Sequence, residues 1–282
     1  MRFTRSVLLA FGLAAWGASA ETRASGFDVG VAAYSFRTVT AFEAIEKTKA
    51  CGGDVIEFFL WQKLSPESPD VILNQDLSDA NLAALKSKLQ AAGVKAVSAY
   101  FNNSVFQDKD KAEANVRKLF VFARKLGLRG LTGEPAADQL DLVEKMVKEY
   151  DIQFCFHNHP KDPAKPSYRN WDPEYLITLM EKRDPRMGFS LDTGHLSRSG
   201  VDPVATVKLL KGRILSVHLK DVKEAKKEST DLLYGQGISH IAGVLAELKA
   251  QGFSGHAAVE YENITDYLLD DVKFCINFIR AH

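Results

Sequence analysis

The chain has 282 residues, with 36 Lys+Arg against 36 Asp+Glu, and 46% of it is hydrophobic. That is enough apolar material for one large core. Zero formal net charge without a polybasic run excludes a protein that gathers nucleic acid or acidic membrane through its overall field.

At the N-terminus Arg2 and Arg5 precede an apolar run at residues 7–16 and then Ala18-Ser19-Ala20. A basic start, an apolar stretch and an A-x-A site mark a secretory signal peptide, and the run is too short to span a bilayer. We expect cleavage after Ala20. Residues 1–20 are then the signal peptide and residues 21–282 a single domain, periplasmic or secreted, with no stable membrane insertion. Removing Arg2 and Arg5 takes the 36 basic residues to 34, which leaves the mature chain faintly acidic.

From there short apolar runs alternate with longer amphipathic segments. A first strand is expected at residues 28–36, "DVGVAAYSF", and a helix at 40–50 stops at Gly52-Gly53. "DVIEFF" is a strand, and a polar Pro/Ser-rich loop leads to a helix in which Leu82, Leu85 and Leu89 share a face that Gly93 ends. "VKAVSAYF", "LRGLTGEP", "IQFCFHNHP", "RMGFSLDTGH", "ILSVHLKD" and "HAAVEYE" read as further strands, each followed by a helical segment. Two of those helices open on Asp-Pro, at Pro173 and Pro203, where proline suits the first turn. Cys51 and Cys275, near the first and last helices, could pair in an oxidising compartment if those helices are neighbours; three cysteines make no disulfide framework.

Eight strand–helix units predict the α/β class and a closed (β/α)8 TIM barrel. An open doubly wound sheet would want a glycine-rich phosphate loop after the first strand, and "YSFRTVT" has no glycine.

A barrel of this kind builds its active site at the C-terminal ends of its strands, and strand side chains alternate inward and outward. Cys155, His157 and His159 share one face opposite Phe154 and Phe156. Ser190 and Asp192, then Ser216, His218 and Lys220, then Ala258, Glu260 and Glu262, then Thr132 and Glu134, and finally Glu57 repeat the pattern. Charged groups are almost never buried without partners, and Glu134, Asp192 and Glu260 in one ring would repel one another without a cation between them. Carboxylates with imidazoles suit Mn, Zn, Co or Fe as the divalent ion. Asp192, His218 and Glu260 are the expected metal ligands, completed by Glu134 or His157. Arg37, Arg198, Glu57 and Tyr100 are candidate substrate contacts, and Tyr34, Phe59 and Trp61 a candidate apolar wall for a sugar ring.

"LDTGH", "HLKD" with the later "GQG", and "VEYE", in that order, resemble the xylose-isomerase-like TIM-barrel superfamily, the sugar-phosphate isomerase/epimerase group. The resemblance implies a divalent metal held by Asp192, His218 and Glu260, and a substrate contact at His195. Where many relatives read Glu-Asn-His on the fifth strand, this chain reads His157-Asn158-His159, so the usual proton-transferring glutamate is missing. With the export signal, this version looks like exported relatives from carbohydrate-degrading bacteria, among which lyases and hydratases of 3-keto-glycosides are a plausible subgroup.

The resemblance thus implies a metal-dependent enzyme working beside the carbonyl of a keto-sugar or 3-keto-glycoside through an enediolate, by isomerisation, epimerisation or β-elimination. A divalent ion holding a ketone and its adjacent hydroxyl eases removal of the neighbouring proton. His157 or His159 would take that proton, Glu260 would serve at the metal and in proton transfer, and Lys220 would add cationic stabilisation. The alternative is a non-catalytic exported sugar-binding protein, which would normally show two similar lobes and a hinge. A DNA-repair role is disfavoured by the neutral charge.

Overall fold

The structure, a computed structural model, describes residues 26–282, so the segment read as a signal peptide lies outside the described residues. Eight strands form the barrel: β1 (Asp28–Ala32), β2 (Val55–Phe59), β3 (Lys95–Tyr100), β4 (Gly130–Gly133), β5 (Gln153–His157), β6 (Met187–Asp192), β7 (Ile214–Leu219) and β8 (His256–Val259). Each pairs in parallel with the next, and β8 returns to β1 with Asp28 opposite His256 and Val31 opposite Val259. The sheet is closed, as the eightfold alternation predicts.

The helices α1 (Ala41–Ala50), α2 (Asp79–Ala92), α3 (Ala112–Leu126), α4 (Leu140–Tyr150), α5 (Pro173–Met180), α6 (Pro203–Leu209), α7 (Ile241–Ala250) and α8 (Leu268–Ala281) alternate with the strands. Their ends are written locally. Thr40 and Glu43 form a reciprocal capping box on α1. Asp172 and Asp202 accept N–H groups at the starts of α5 and α6, with proline in the first turn as expected. Gly93 and Gly127 close α2 and α3 in the left-handed region.

The core lies outside the barrel wall. Val29, Val31, Ile56, Phe58, Phe154, Phe156, Phe189, Leu191, Val217 and Leu219 alternate along the strands and are all buried. Each such side chain contributes about 1.5–3 kcal/mol on burial. The positions between them are small and often polar: Ser98, Thr132, Cys155, Ser190 and Ser216. Ser98 and Thr132 share a hydrogen bond of 2.9 Å from neighbouring strands.

The structure departs locally from the sequence reading at four places. The first strand stops at Ala32 and tightens into a 3-10 turn, Ala33–Phe36. β6 ends at Asp192 because its carboxylate caps a short helix, Thr193–Arg198, by accepting from His195 N at 2.7 Å. The loop after β2 contains a hairpin, Lys63–Ser65 with Ser68–Ile72, and a second small hairpin joins Asp221–Val222 to Asp231–Leu232. Asp221 also gathers the "GQG" loop: its carboxylate accepts from Gly235, Gly237 and Ser239 N–H groups, each at 2.9 Å. Cys51, Cys155 and Cys275 are all free and buried, so the first and last helices are not bridged.

Candidate functional site

At the C-terminal mouth, β5, β6, β7 and the end of β8 bring His157, Asp192, His218 and Glu260 together. One ligand atom from each lies within 4.8 Å of the others, and all four residues are buried. Each also holds a buried atom without a hydrogen-bond partner: His157 Nδ1, Asp192 Oδ2, His218 Nδ1 and Glu260 Oε2. His218 Nδ1 and Glu260 Oε2 approach to 2.6 Å without hydrogen-bond geometry. Buried polar atoms of native proteins are nearly always partnered, so four orphans at one point fit a cation that takes lone pairs from all of them. Two imidazoles and two carboxylates suit a divalent first-row ion.

The titration behaviour fits the same reading. Burial pushes His157 down to about 3, helped by the neighbouring His218 and His159, so its ring stays neutral and keeps a lone pair. Burial opposes charge on His218 as well, but Glu57 and Glu260 outweigh it and raise His218 well above its ordinary 6.5. In the absence of an ion a proton is drawn to this spot.

The residues beneath the cluster hold it in place. Glu57 Oε1 accepts from His218 Nε2 at 2.7 Å, while its Oε2 lies 3.0 Å from Thr132 Oγ1 and 3.4 Å from His256 Nε2. Glu57 also lines the cavity, and both of its oxygens are engaged by these neighbours, which places it behind His218. Asn158 is keyed to the Asp192 backbone in both directions: its Oδ1 accepts from Asp192 N at 2.8 Å and its Nδ2 donates to Asp192 O at 3.1 Å.

Three basic residues expected in the site prove to be committed elsewhere. Lys220 is fully buried and off the cavity wall, with its ammonium 2.6 Å from Glu262, 3.3 Å from Asp192 and 3.8 Å from Glu260. It is an internal counter-charge, too enclosed to meet a substrate. Arg37 donates to the carbonyls of Tyr34 and Glu262 and stacks on the Tyr34 ring. Arg198 reaches Asp231 at 2.6 Å and the Ser229 carbonyl at 2.9 Å, and one of its N–H groups lies 3.3 Å from His195 Nδ1. Glu134, the other candidate ligand, stays out of the cluster. Its Oε2 lies 3.0 Å from His159 Nδ1, and its Oε1 accepts from Asn170 at 2.8 Å and from the Tyr168 hydroxyl.

Above the cluster opens a cavity of about 370 Å³. His157, His159, His195, His218, Glu260 and Glu262 line it together with Tyr34, Phe59, Trp61 and Tyr100. The rings are in continuous contact: His157 with Tyr100 at 5.4 Å, Tyr100 with Trp61 at 5.8 Å, and Trp61 with Phe59 at 5.0 Å. Trp61 is 39% exposed at the rim. Among the described residues, no Lys or Arg lines this cavity. Sequence reasoning missed Tyr168, Asn170, His256, Asp231 and the positioning part of Asn158. Tyr168 and Asn170 sit in a loop without periodicity, and only a fold could place them; His256 stands two residues before Ala258, so the strand parity that aligned Ala258, Glu260 and Glu262 could have found it.

A profile of the xylose isomerase-like TIM barrel family matches residues 45–278. An inosose dehydratase of Clostridium tetani is 35% identical over 89 residues, covering 31% of this chain and 28% of that protein. The rhizopine catabolism protein MocC of Rhizobium meliloti is 30% identical over 151 residues, covering 48% and 44%. The chain therefore spans less than half the length of these curated relatives in its matches. An uncharacterised protein from Parabacteroides distasonis superposes with a TM-score of 0.69 at 30% identity, over 91% of this chain and 99% of that one. The zinc-bound IolI protein shares the fold, with a TM-score of 0.67 at 16% identity over 90% and 98%. With most of its length matched by that profile, the chain belongs to the xylose isomerase-like TIM barrel family.

Proposed function

We propose that this protein is a divalent-metal-dependent enzyme acting beside the carbonyl of an uncharged keto-sugar or 3-keto-glycoside, by isomerisation, epimerisation or β-elimination. The observation that carries the reading is the convergence at the barrel mouth of four buried ligand atoms that lack hydrogen-bond partners. His157, Asp192, His218 and Glu260 would hold the ion. It would supply Lewis acidity, which lowers the barrier to removing a proton next to a ketone. The inosose dehydratase similarity and the zinc in the IolI protein support the same class of chemistry.

The protein's own residues supply the rest. His159 lies on the cavity wall next to His157, with Glu134 behind it, and takes the proton from carbon. The C–H electron pair then forms the enediolate double bond. Delivery of that proton to the former carbonyl carbon, with a hydroxyl proton passing between the two oxygens, gives the isomer, and protonation of the first carbon on its opposite face by a second acid, the role open to Glu260 across the cavity lining, gives the epimer. Alternatively the pair expels an oxygen substituent on the next carbon, and the proton held by His159 passes to the departing oxygen. Tyr34, Phe59, Trp61 and Tyr100 offer apolar surface for a ring, and the length of that wall favours a glycoside over a small free sugar. The lack of a lysine or arginine on the wall favours an uncharged substrate over a phosphorylated one.

We also propose that residues 1–20 direct export, so that the reaction takes place in the periplasm or outside the cell. Intact mass of the mature protein tests this, and retention of Met1 would refute it. For the chemistry, the bound metal is identified and the loaded protein is incubated in deuterated water with keto-sugars and 3-keto-glycosides. NMR should show deuterium at the carbon beside the ketone, with or without loss of the aglycone. A folded protein that binds no divalent ion, or a loaded one that exchanges no carbon-bound proton in any of these compounds, would sink the proposal.

A further inference from the structure

His157, His159 and His195 form a second group whose nitrogens lie within 4.8 Å of one another. By residue type alone it is a candidate for another metal ion. The contacts behind each ring point elsewhere.

Arginine has only N–H donors. The Arg198 guanidinium, 3.3 Å from His195 Nδ1, therefore requires that nitrogen to accept. Arg198 is itself fixed by Asp231 and the Ser229 carbonyl, so the requirement is built in from the next strand connection. A neutral His195 then carries its proton on Nε2, which lies 3.7 Å from Asp192 Oδ2, beyond hydrogen-bond distance, in a ring that lines the cavity. A protonated nitrogen has no lone pair for a metal.

At His159 the sign is reversed. Glu134, held by Asn170 and the Tyr168 hydroxyl, presents an acceptor-only carboxylate oxygen 3.0 Å from His159 Nδ1. Nδ1 must donate, and the lone pair of the neutral ring falls on Nε2. The two rings stack with centroids 5.1 Å apart and planes at 26°, and both line the cavity.

We propose that the three-histidine group is not a second metal seat but a matched pair beside the metal centre: His159 presents an acceptor to the substrate and His195 a donor, with Glu134 and Arg198 as the positioning residues that set their opposite polarity. Its catalytic consequence rests on the reading given above. His159 Nε2 takes the proton from carbon while His195 Nε2–H donates a hydrogen bond to a nearby substrate oxygen that gains negative charge. His195 transfers no proton in this step. The proton taken by His159 alone is delivered at the end, and charge balances without another ion.

The test is a long-range proton–nitrogen NMR correlation of the imidazole rings in the zinc-loaded and the cadmium-113-loaded protein. Zinc-loaded protein should show a pyridine-type Nδ1 and a pyrrole-type Nε2 at His195, and the opposite pattern for neutral His159. Cadmium-113 should couple to nitrogens of His157 and His218 only, at one ion per chain. Arg198→Met should abolish the single tautomer at His195 and leave His159 unchanged; Glu134→Leu should do the converse. A proton on His195 Nδ1, a cadmium coupling to His159 or His195, or a second tightly bound ion would overturn the proposal. These readouts need no substrate. Failure of the sugar panel would remove the catalytic consequence and leave the tautomer result standing, whereas a wrong tautomer would refute the pair even in an active enzyme.

Discussion

Glu57→Gln isolates what a carboxylate behind a metal-facing imidazole contributes. The wild-type Glu57 Oε1 takes the His218 Nε2 proton at 2.7 Å, and Oε2 faces Thr132 and His256 at 3.0 and 3.4 Å. Glutamine keeps the shape and one neutral acceptor, but loses the charge and turns an amide N–H₂ toward donors. A charge-assisted hydrogen bond is worth about 1.5–3 kcal/mol and roughly twice a neutral one. Exchanging one for the other therefore costs about 1 kcal/mol, and looser aim of the ring adds to it. The sum agrees with the ten- to hundredfold loss of metal affinity typical of such partners, about 1.4–2.7 kcal/mol. Competition of zinc or cobalt against a chromophoric chelator at fixed pH measures it directly, with circular dichroism confirming the fold. A folded variant with unchanged metal affinity would refute the role given to Glu57.

Other outcomes follow from the same site. Lys220→Met removes a fully buried cation from among Glu262, Asp192 and Glu260, and urea unfolding of the metal-free protein should show a loss of about 3–5 kcal/mol, smaller once metal is bound; equal stability would contradict its counter-charge role. Metal affinity should fall on acidification by about tenfold per pH unit for the one proton that His218 holds, read by calorimetry in buffers of different ionisation enthalpy. The sign is fixed by the raised His218: its proton stabilises the metal-free fold fully below 6.5, and that contribution is lost as pH rises through the raised value, so the ion replaces a proton and releases it. The thiols of Cys51, Cys155 and Cys275, pushed up by burial to about 11, about 12 and about 12, should stay silent to a thiol reagent at pH 8 until the protein is unfolded; rapid labelling of the native protein would count against the closed core.

The barrel was legible in the sequence because two periods alternate along it, and both are set by local geometry. Strand parity also put His157, Asp192, His218 and Glu260 on the inward face before any fold was at hand. Parity could not tell what a basic side chain would find at the end of its reach. Arg37, Arg198 and Lys220 stand where substrate contacts belong, yet each meets acceptors supplied by distant strands or loops: the Glu262 carbonyl for Arg37, Asp231 for Arg198, and three carboxylates for Lys220. The choice between Glu134 and His157 was open for the same reason. Glu134 lies one residue past β4, and the direction of its carboxylate is set by Tyr168 and Asn170, which no periodicity announces.

Inside the barrel, small hydroxyl and thiol side chains stand beneath the site, while the large apolar ones face the helices. Cohesion and chemistry are thereby assigned to opposite faces of the same eight strands. A substitution at an inward strand-end position can change what the mouth does while leaving the apolar contacts with the helices in place. Position 157 is such a place: its side chain reaches the ligand cluster and the cavity, while Phe154 and Phe156 on the other face of the same strand belong to the apolar core.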